Sequence, residues 1–231
     1  MRWLAQSARC GGLYMNVVAV MPIKMNNERC PGKNTRTLGN KPLLQYELDS
    51  LIETNLCNRI IVYCSTEKIT DYLPDGVEFM LRSEKLDLPS ANFSQIFSSF
   101  FEKVNADIYV YAHATAPFVK VDTMIECIEA VKSGEYDSAF CAERIQDFVW
   151  MNGKPINFTP EDIPRTQDLC PVYRETSGVY VFEKAVFEKL HRRVGEKPFI
   201  KEVSFEERVD IDEPEDFVLA ERLVDTGFVF R

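Results

Sequence analysis

Apolar residues follow two alternating rhythms along the chain, short unbroken runs and longer stretches in which they recur at helical spacing. Val17, Val18, Ala19, Val20, Met21 and Ile23 form a run that ends at Lys24 and reads as a buried strand. Leu43, Leu44, Leu48, Leu51 and Ile52 then predict a helix over about 42–54 with one face buried. Residues 59–64 are apolar and β-branched and read as a second strand, Ser65-Thr66 as the N-cap of a short helix, and 78–81 as a short strand. Between 91 and 104, Phe93, Ile96, Phe97, Phe100 and Phe101 lie on one helical stripe, the mark of a core-facing helix. A strand over 108–112, a helix over 121–133 and a strand over 137–141 follow. A last strand is expected at 177–182, His191 is expected within a helix, and a final helix runs from Pro214 through 224.

Short strands alternating with helices predict an α/β fold, a single Rossmann-like three-layer domain with a mainly parallel sheet. From 143 to 171 the rhythm breaks into polar sequence, with a hairpin-type turn at Met151-Asn152-Gly153-Lys154-Pro155. An excursion of that length in a compact domain is usually functional. Residues 1–14 carry no such rhythm and are expected to be a disordered extension, leaving 15–231 as the domain.

Composition narrows the function. With 231 residues, 45% of them hydrophobic, the chain can build one full α/β core but not two comfortable ones. A formal net charge of −9 argues against a nucleic-acid backbone as partner, since phosphate polymers need a basic face. A single nucleotide needs only a local cationic loop. The seven cysteines are scattered, with no C-x-x-C pair, and read as reduced thiols of a cytoplasmic protein. No apolar run approaches the roughly 18–20 residues needed to cross a bilayer, so no membrane association is expected.

Two segments carry candidate chemistry on their own terms. The first strand opens into a loop bearing Lys24, Arg29 and Lys33 around Pro31-Gly32. Ligands of open α/β sheets sit at the carboxyl ends of the strands, and a cationic loop there suits phosphate, although loop lysines are commonly just solvated. In Val209-Asp210-Ile211-Asp212-Glu213-Pro214, an extended backbone would put both aspartates on one side. Two such carboxylates favour a cation between them, and hard oxygen ligands suit Mg²⁺. The same residues also fit a plain acid-rich helix start.

Taken in order, these and other segments resemble the CMP-sugar-acid synthetases, the cytidylyltransferases for sialic acid and its relatives. Residues 22–34 are similar to the signature I-P-A-R-x-G-S-K-x-x-P-x-K-N: Pro22, Pro31, Lys33 and Asn34 match, and Lys24 stands at the arginine. Residues 25–28 depart from it, and Glu28 puts an acid where a cation is expected. The resemblance implies that Lys24, Lys33 and Asn34 bind the nucleotide. The D-I-D-E-P-E-D-F run from Asp210 is similar to D-I-D-T-P-E-D-F, which implies that Asp210 and Asp212 hold Mg²⁺ against the CTP phosphates. Arg82, after a short strand, is implied to read the cytosine ring, with Ser90 beside it; alone it would pass for a surface arginine. Residues 113–118 resemble Q-P-T-S-P-L, with His113 at the glutamine that contacts the sugar acid, a position that also suits an ordinary strand-end histidine. Residues 165–169 and 177–182 resemble R-x-Q-x-L and N-G-A-I-Y-I. Arg165 is thereby implied to clamp the acceptor carboxylate, with Gln167 and Ser177 lining the acceptor site, Ser177 in place of asparagine.

The resemblance covers residue 16 to about 225 and implies transfer of CMP from CTP to the anomeric hydroxyl of a keto-acid sugar, releasing pyrophosphate. Lys24, Lys33, Asp210 and Asp212 would be the catalytic set. It also implies a homodimer in which 143–171 reaches into the partner's active site. A nine-carbon nonulosonate of the sialic type is the expected acceptor, because Asn34 follows Lys33 and nothing resembles the D-H-x-S-G-T-D motif of octulosonate enzymes. The alternatives are transfer to 3-deoxy-manno-octulosonate or another acidic acceptor, and a non-catalytic nucleotide-binding protein on the same fold. The altered first loop motivates the last of these, and the retained aspartate pair speaks against it.

Overall fold

The structure, a computed structural model, describes residues 15–228, so the expectation for 1–14 lies outside the described residues. Seven strands form the central sheet: β1 (Val17–Ile23), β2 (Arg59–Cys64), β3 (Val77–Leu81), β4 (Ile108–Ala112), β5 (Ser138–Ile145), β6 (Val172–Glu183) and β7 (Pro198–Glu202). Their spatial order is β7-β5-β6-β4-β1-β2-β3. Every neighbouring pair is parallel except the two made by β6, which runs antiparallel to β4 and to β5. The helices are α1 (Leu43–Glu53), α2 (Phe93–Phe101), α3 (Val121–Lys132), α4 (Lys184–Leu190) and α5 (Pro214–Asp225).

A strand with parallel neighbours on both sides needs apolar side chains on both faces, and β1 supplies them. Val17, Ala19, Met21 and Ile23 pack with Leu44, Leu48 and Leu51 of α1 and Met124, Cys127, Ile128 and Val131 of α3. Val18 and Val20 belong to the opposite layer, with Phe97 and Phe100 of α2 and Val186 and Phe187 of α4. The expected three-layer α/β domain is therefore observed. A smaller cluster, with Leu38, Leu43, Phe118, Val209, Ile211 and Phe217 at its heart, ties α5 to the start of α1. That cluster brings residues 209–212 beside the first loop.

The helix expected over 91–104 is shorter, because Asn92 and Gln95 close a capping box that starts α2 at Phe93. His191 lies just past α4 in a left-handed turn (φ 52°) rather than inside a helix. The edge strand β7 was not expected. The polar excursion is also partly strand, since β5 runs to Ile145 and β6 starts at Val172. Within it, Asn152 and Gly153, both at positive φ, turn a small hairpin that pairs Trp150–Met151 with Lys154–Pro155. Cys30, Cys57, Cys64, Cys127, Cys141 and Cys170 are free thiols. Among the described residues, no helix is long and apolar enough to cross a membrane.

Candidate functional site

The loop after β1 turns through Gly32 in a left-handed conformation (φ 68°) into a short 3₁₀ turn at Lys33–Thr35. That turn buries Lys33 to 7% exposure. Its ammonium donates to the Ile211 carbonyl and to Asp212 Oδ1 at 2.9 Å. Arg29 reaches the same carboxylate at 2.9 Å and Glu213 at 3.0 Å. Burial opposes ionisation of Asp212, but the bond and charge of Lys33, then those of Arg29, outweigh it and hold the carboxyl below its usual pKa. Asp216 fixes the backbone here, accepting from the N–H groups of Asp212 at 3.0 Å and Glu213 at 2.8 Å. Oδ1 of Asp210 is buried and has no protein partner. Asn34 donates to the Lys24 carbonyl at 2.9 Å, so it shapes the loop. Lys24 itself pairs with Glu28 at 3.6 Å.

Lys24, Asn27, Glu28, Arg29, Cys30, Lys33, Pro89 and Asp212 line an open cleft of about 390 Å³. It lies beyond the carboxyl end of β1, where open α/β sheets bind ligands. A cavity of similar size, about 420 Å³, lies at the other end of the strands against Met15, Asp107, Glu183, Lys184 and Glu188. That one gathers three acids and one cation, which suits a phosphate poorly.

Arg82 follows β3, and its backbone N–H continues the ladder to the Cys64 carbonyl at 2.9 Å. The side chain is 2% exposed. It donates through Nη2 to Asp87 at 2.7 Å, and Asp87 also accepts from the Ser65 hydroxyl at 2.5 Å. Nε and Nη1 are buried without partners. A buried guanidinium with idle donors is costly, and a ligand acceptor would relieve it. Ser90 is exposed next to Pro89 at the rim of the cleft.

His113 stands just past β4, with its ring 5.1 Å from that of Tyr111 and 6.0 Å from that of Tyr180. Burial, then the charge of Arg193, pushes the imidazole pKa down to about 4, so at neutral pH it is uncharged and acts as a hydrogen-bonding group. Its Nε2 has no protein partner. Ser177 is half-buried in β6, two positions before Val179, which pairs with Ala112 of β4.

The remaining two expected site residues are elsewhere. Arg165, 72% exposed, grips Asp168 of its own turn at 2.7 and 3.2 Å. Gln167 is exposed on the same turn, and neither residue lines the cleft. Three residues of the site escaped the sequence reading: Asp216 at Asp212, Asp87 at Arg82, and Arg193 near His113. Arg29 was read as the third cation of the first loop, but without its partner Asp212.

The Cytidylyltransferase family profile matches residues 18–230. The chain belongs to the cytidylyltransferase family. Among its relatives is the CMP-N,N'-diacetyllegionaminic acid synthase of Legionella pneumophila, 25% identical over 91% of this chain and 97% of that protein. N-acylneuraminate cytidylyltransferase A of Danio rerio is also 25% identical, over 90% of this chain and 51% of that protein, so this cytidylyltransferase spans about half of the fish protein. A 3-deoxy-manno-octulosonate cytidylyltransferase of Acaryochloris marina is 24% identical over 73% of this chain and 74% of its own. In fold, the chain superposes on CMP:2-keto-3-deoxy-manno-octonic acid synthetase complexed with CTP, with a TM-score of 0.69 at 14% identity over 92% and 99% of the two chains. The 4-diphosphocytidyl-2C-methyl-D-erythritol synthase of Anaerococcus prevotii gives 0.66 at 14% identity over 91% and 96%. The fold class and the reading as an enzyme similar to CMP-sialic acid synthetases are borne out.

Proposed function

We propose that this cytidylyltransferase transfers CMP from CTP to the anomeric hydroxyl of a keto-acid sugar of the sialic type, with Mg²⁺ as cofactor. The observation that carries the reading is the convergence of Lys33 and Arg29 on Asp212 at the mouth of a cationic cleft; two residues earlier in the chain, Asp210 has a buried carboxylate oxygen without a protein partner. Asp210 and Asp212 would hold Mg²⁺. Among the described residues no group of three or more His, Cys, Asp or Glu side chains is placed to hold a metal ion, so these two aspartates would be this chain's own ligands. When bound, Mg²⁺ supplies charge neutralisation on the phosphates.

The chain's own residues do the rest. Lys24, Lys33 and Arg29 place the triphosphate across the cleft, and Asn34 fixes the loop that carries Lys24. Arg82 offers Nε and Nη1 to the base, Ser90 stands at its rim, and His113 and Ser177 bind the acceptor. The anomeric oxygen attacks the α-phosphorus, the bond from that phosphorus to the bridging oxygen breaks, pyrophosphate leaves, and the hydroxyl proton passes to water. Positioning and fixed charge are the catalytic terms, and no covalent enzyme intermediate forms. The relatives that act on N-acylneuraminate and N,N'-diacetyllegionaminate support a nonulosonate acceptor. The free thiols support a cytoplasmic enzyme, and the exposed excursion supports a homodimer.

Pyrophosphate release from CTP and Mg²⁺ with a panel of sugar acids tests the reading. A nonulosonate is expected to turn over, and Asp212→Ala is expected to lower kcat by about 10²–10³-fold, the scale for removing one fixed stabilising charge. Release with no acid, or wild-type kcat in Asp212→Ala, overturns it.

A further inference from the structure

The cations of the phosphate cleft are already paired within the protein. Lys24 meets Glu28, Lys33 meets Asp212, and Arg29 meets both Asp212 and Glu213. Three cations thus face three acids. Lys33 and Arg29 converge on one atom, each 2.9 Å from Oδ1 of Asp212, but they are held differently. The Lys33 side chain is 9% exposed and is anchored a second time by the Ile211 carbonyl at 2.5 Å. Arg29 is 59% exposed, and its second partner Glu213 is itself 47% exposed. Lys33 is therefore a fixed part of the site and Arg29 a displaceable one. In the signature that residues 22–34 resemble, Arg29 falls at an unspecified position, so the resemblance assigns it no role. A divalent cation at Asp212 would compete for an oxygen that two cations already occupy, and their charges oppose its approach. Phosphate changes the balance, because its oxygens accept a guanidinium fork as a carboxylate does.

We infer that Arg29 holds the place of the divalent cation at Asp212 in the nucleotide-free protein and yields it when nucleotide phosphates draw the guanidinium away. The inference rests on the proposed metal role of Asp212 and adds an order of events to it. Without nucleotide, Arg29 stays on Asp212 and Glu213, and the protein takes up divalent cations poorly. With nucleotide, the guanidinium has a phosphate partner, and the Asp212 oxygen opens on the side that Arg29 covered. Lys33 stays where it is and keeps the carboxylate aimed. Uptake of metal and of nucleotide is thereby coupled, and each raises the affinity for the other by the same factor. Arg29 acts through Asp212 in this step, so it is a positioning residue.

Mn²⁺, a paramagnetic substitute for Mg²⁺, titrated into the nucleotide-free protein and followed by electron paramagnetic resonance, tests this without turnover. Arg29→Ala is expected to bind Mn²⁺ about tenfold or more tighter than the wild type, since one repelling charge is gone. Arg29→Lys restores a cation and should fall between the two. Adding Asp212→Ala to Arg29→Ala should abolish the gain. As a control, Arg59→Ala removes the same charge from a pair with Glu78 at the start of β2, the opposite end of the sheet, and should leave Mn²⁺ affinity as in the wild type. Arg29 is exposed, so its variants are expected to fold, as thermal melting would verify. In calorimetry, the factor by which Mg²⁺ raises CTP affinity should shrink in Arg29→Ala. Equal Mn²⁺ affinity in the wild type and Arg29→Ala, or a gain that survives Asp212→Ala, overturns the role of Arg29. If Mn²⁺ uptake by the CTP-bound protein is the same in the wild type and Asp212→Ala, the metal assignment falls with it. A gain at Asp212 in a protein that turns over no sugar acid supports the role of Arg29 and overturns only the proposed reaction.

Discussion

Glu47 lies on the inner face of α1, fully buried, and neither of its carboxyl oxygens has a hydrogen-bond partner. Burial, then the neighbouring Cys141 and Glu207, pushes its pKa well above 4.5, which favours the neutral acid in the folded protein. A folded pKa raised above the unfolded one gives stability that is full below pH 4.5 and is lost as pH rises through the folded value. Glu47→Leu is therefore expected to stabilise the protein by about 1–3 kcal/mol at pH 7, the cost of a buried unsatisfied polar group. The gain should shrink toward pH 4.5 in melts recorded across that range. His113 has the opposite sign. Its pKa falls from 6.5 to about 4, so its contribution is present above pH 6.5 and lost as pH drops through about 4. His113→Gln should accordingly lose less melting temperature than wild type between pH 6.5 and pH 4.5. A wild-type-like acid loss would show that His113 is not held neutral. The family resemblance made Asp212, Lys33 and Arg82 legible, although only Arg82 directly follows a strand, Lys33 lying in the turn after the first loop and Asp212 just before α5. Glu47 and Arg193 were opaque, since a single charged residue in a helix or loop shows its partner only once the chain has folded.

At the scale of elements, α5 ties structure to site. Glu213 and Asp216 form a capping box, and Asp216 also accepts from the Asp212 N–H, so one side chain both starts the helix and aims Asp212 at Lys33. Asp216→Ala is expected to cost about 1 kcal/mol in denaturant unfolding, the scale of a lost cap. It should also lower kcat several-fold with CTP affinity nearly intact. A loss of stability with unchanged kcat would leave Asp216 as a cap only. Strands whose apolar runs are continuous, β1, β2 and β4, were legible to within a residue, because burial on both faces leaves no polar interruption. The inner half of the excursion was not. Glu143 and Arg144 pair in register with Arg174 and Tyr173, and the Glu143–Arg174 bond of 2.9 Å satisfies across the ladder charges that look like loop in the sequence. The edge strand β7 was hidden similarly by Pro198 at its start and Lys201 and Glu202 at its end, residues that edge strands tolerate.

At the scale of the whole molecule, the excursion between β5 and β6 leaves Phe148, Trp150, Met151, Ile156 and Ile163 exposed. Phe148 and Trp150 pack edge-on against Phe158, at 4.9 and 5.5 Å between ring centroids. Apolar side chains gathered this way mark an interaction surface, and the commonest symmetric solution is a two-fold dimer. The chain of 26.6 kDa is thus expected to scatter light as a particle of about twice that mass at micromolar concentration. A mass near 26.6 kDa would rule the dimer out. Dimerisation would also give Arg165 a use. In one subunit its guanidinium meets only Asp168, outside the cleft, yet a planar fork is well suited to holding the acceptor carboxylate while the anomeric hydroxyl lines up with the α-phosphorus. If a partner subunit presents Arg165 to the cleft, Arg165→Ala and Asp212→Ala damage different halves of one shared site. Each variant alone should then be nearly inactive. After exchange of subunits, a mixture should regain part of the wild-type rate, because half-and-half dimers contain one site with both residues intact. Exchange demonstrated by a mass label with no recovery of activity would place Arg165 outside the shared site, and the acceptor carboxylate would need another cation.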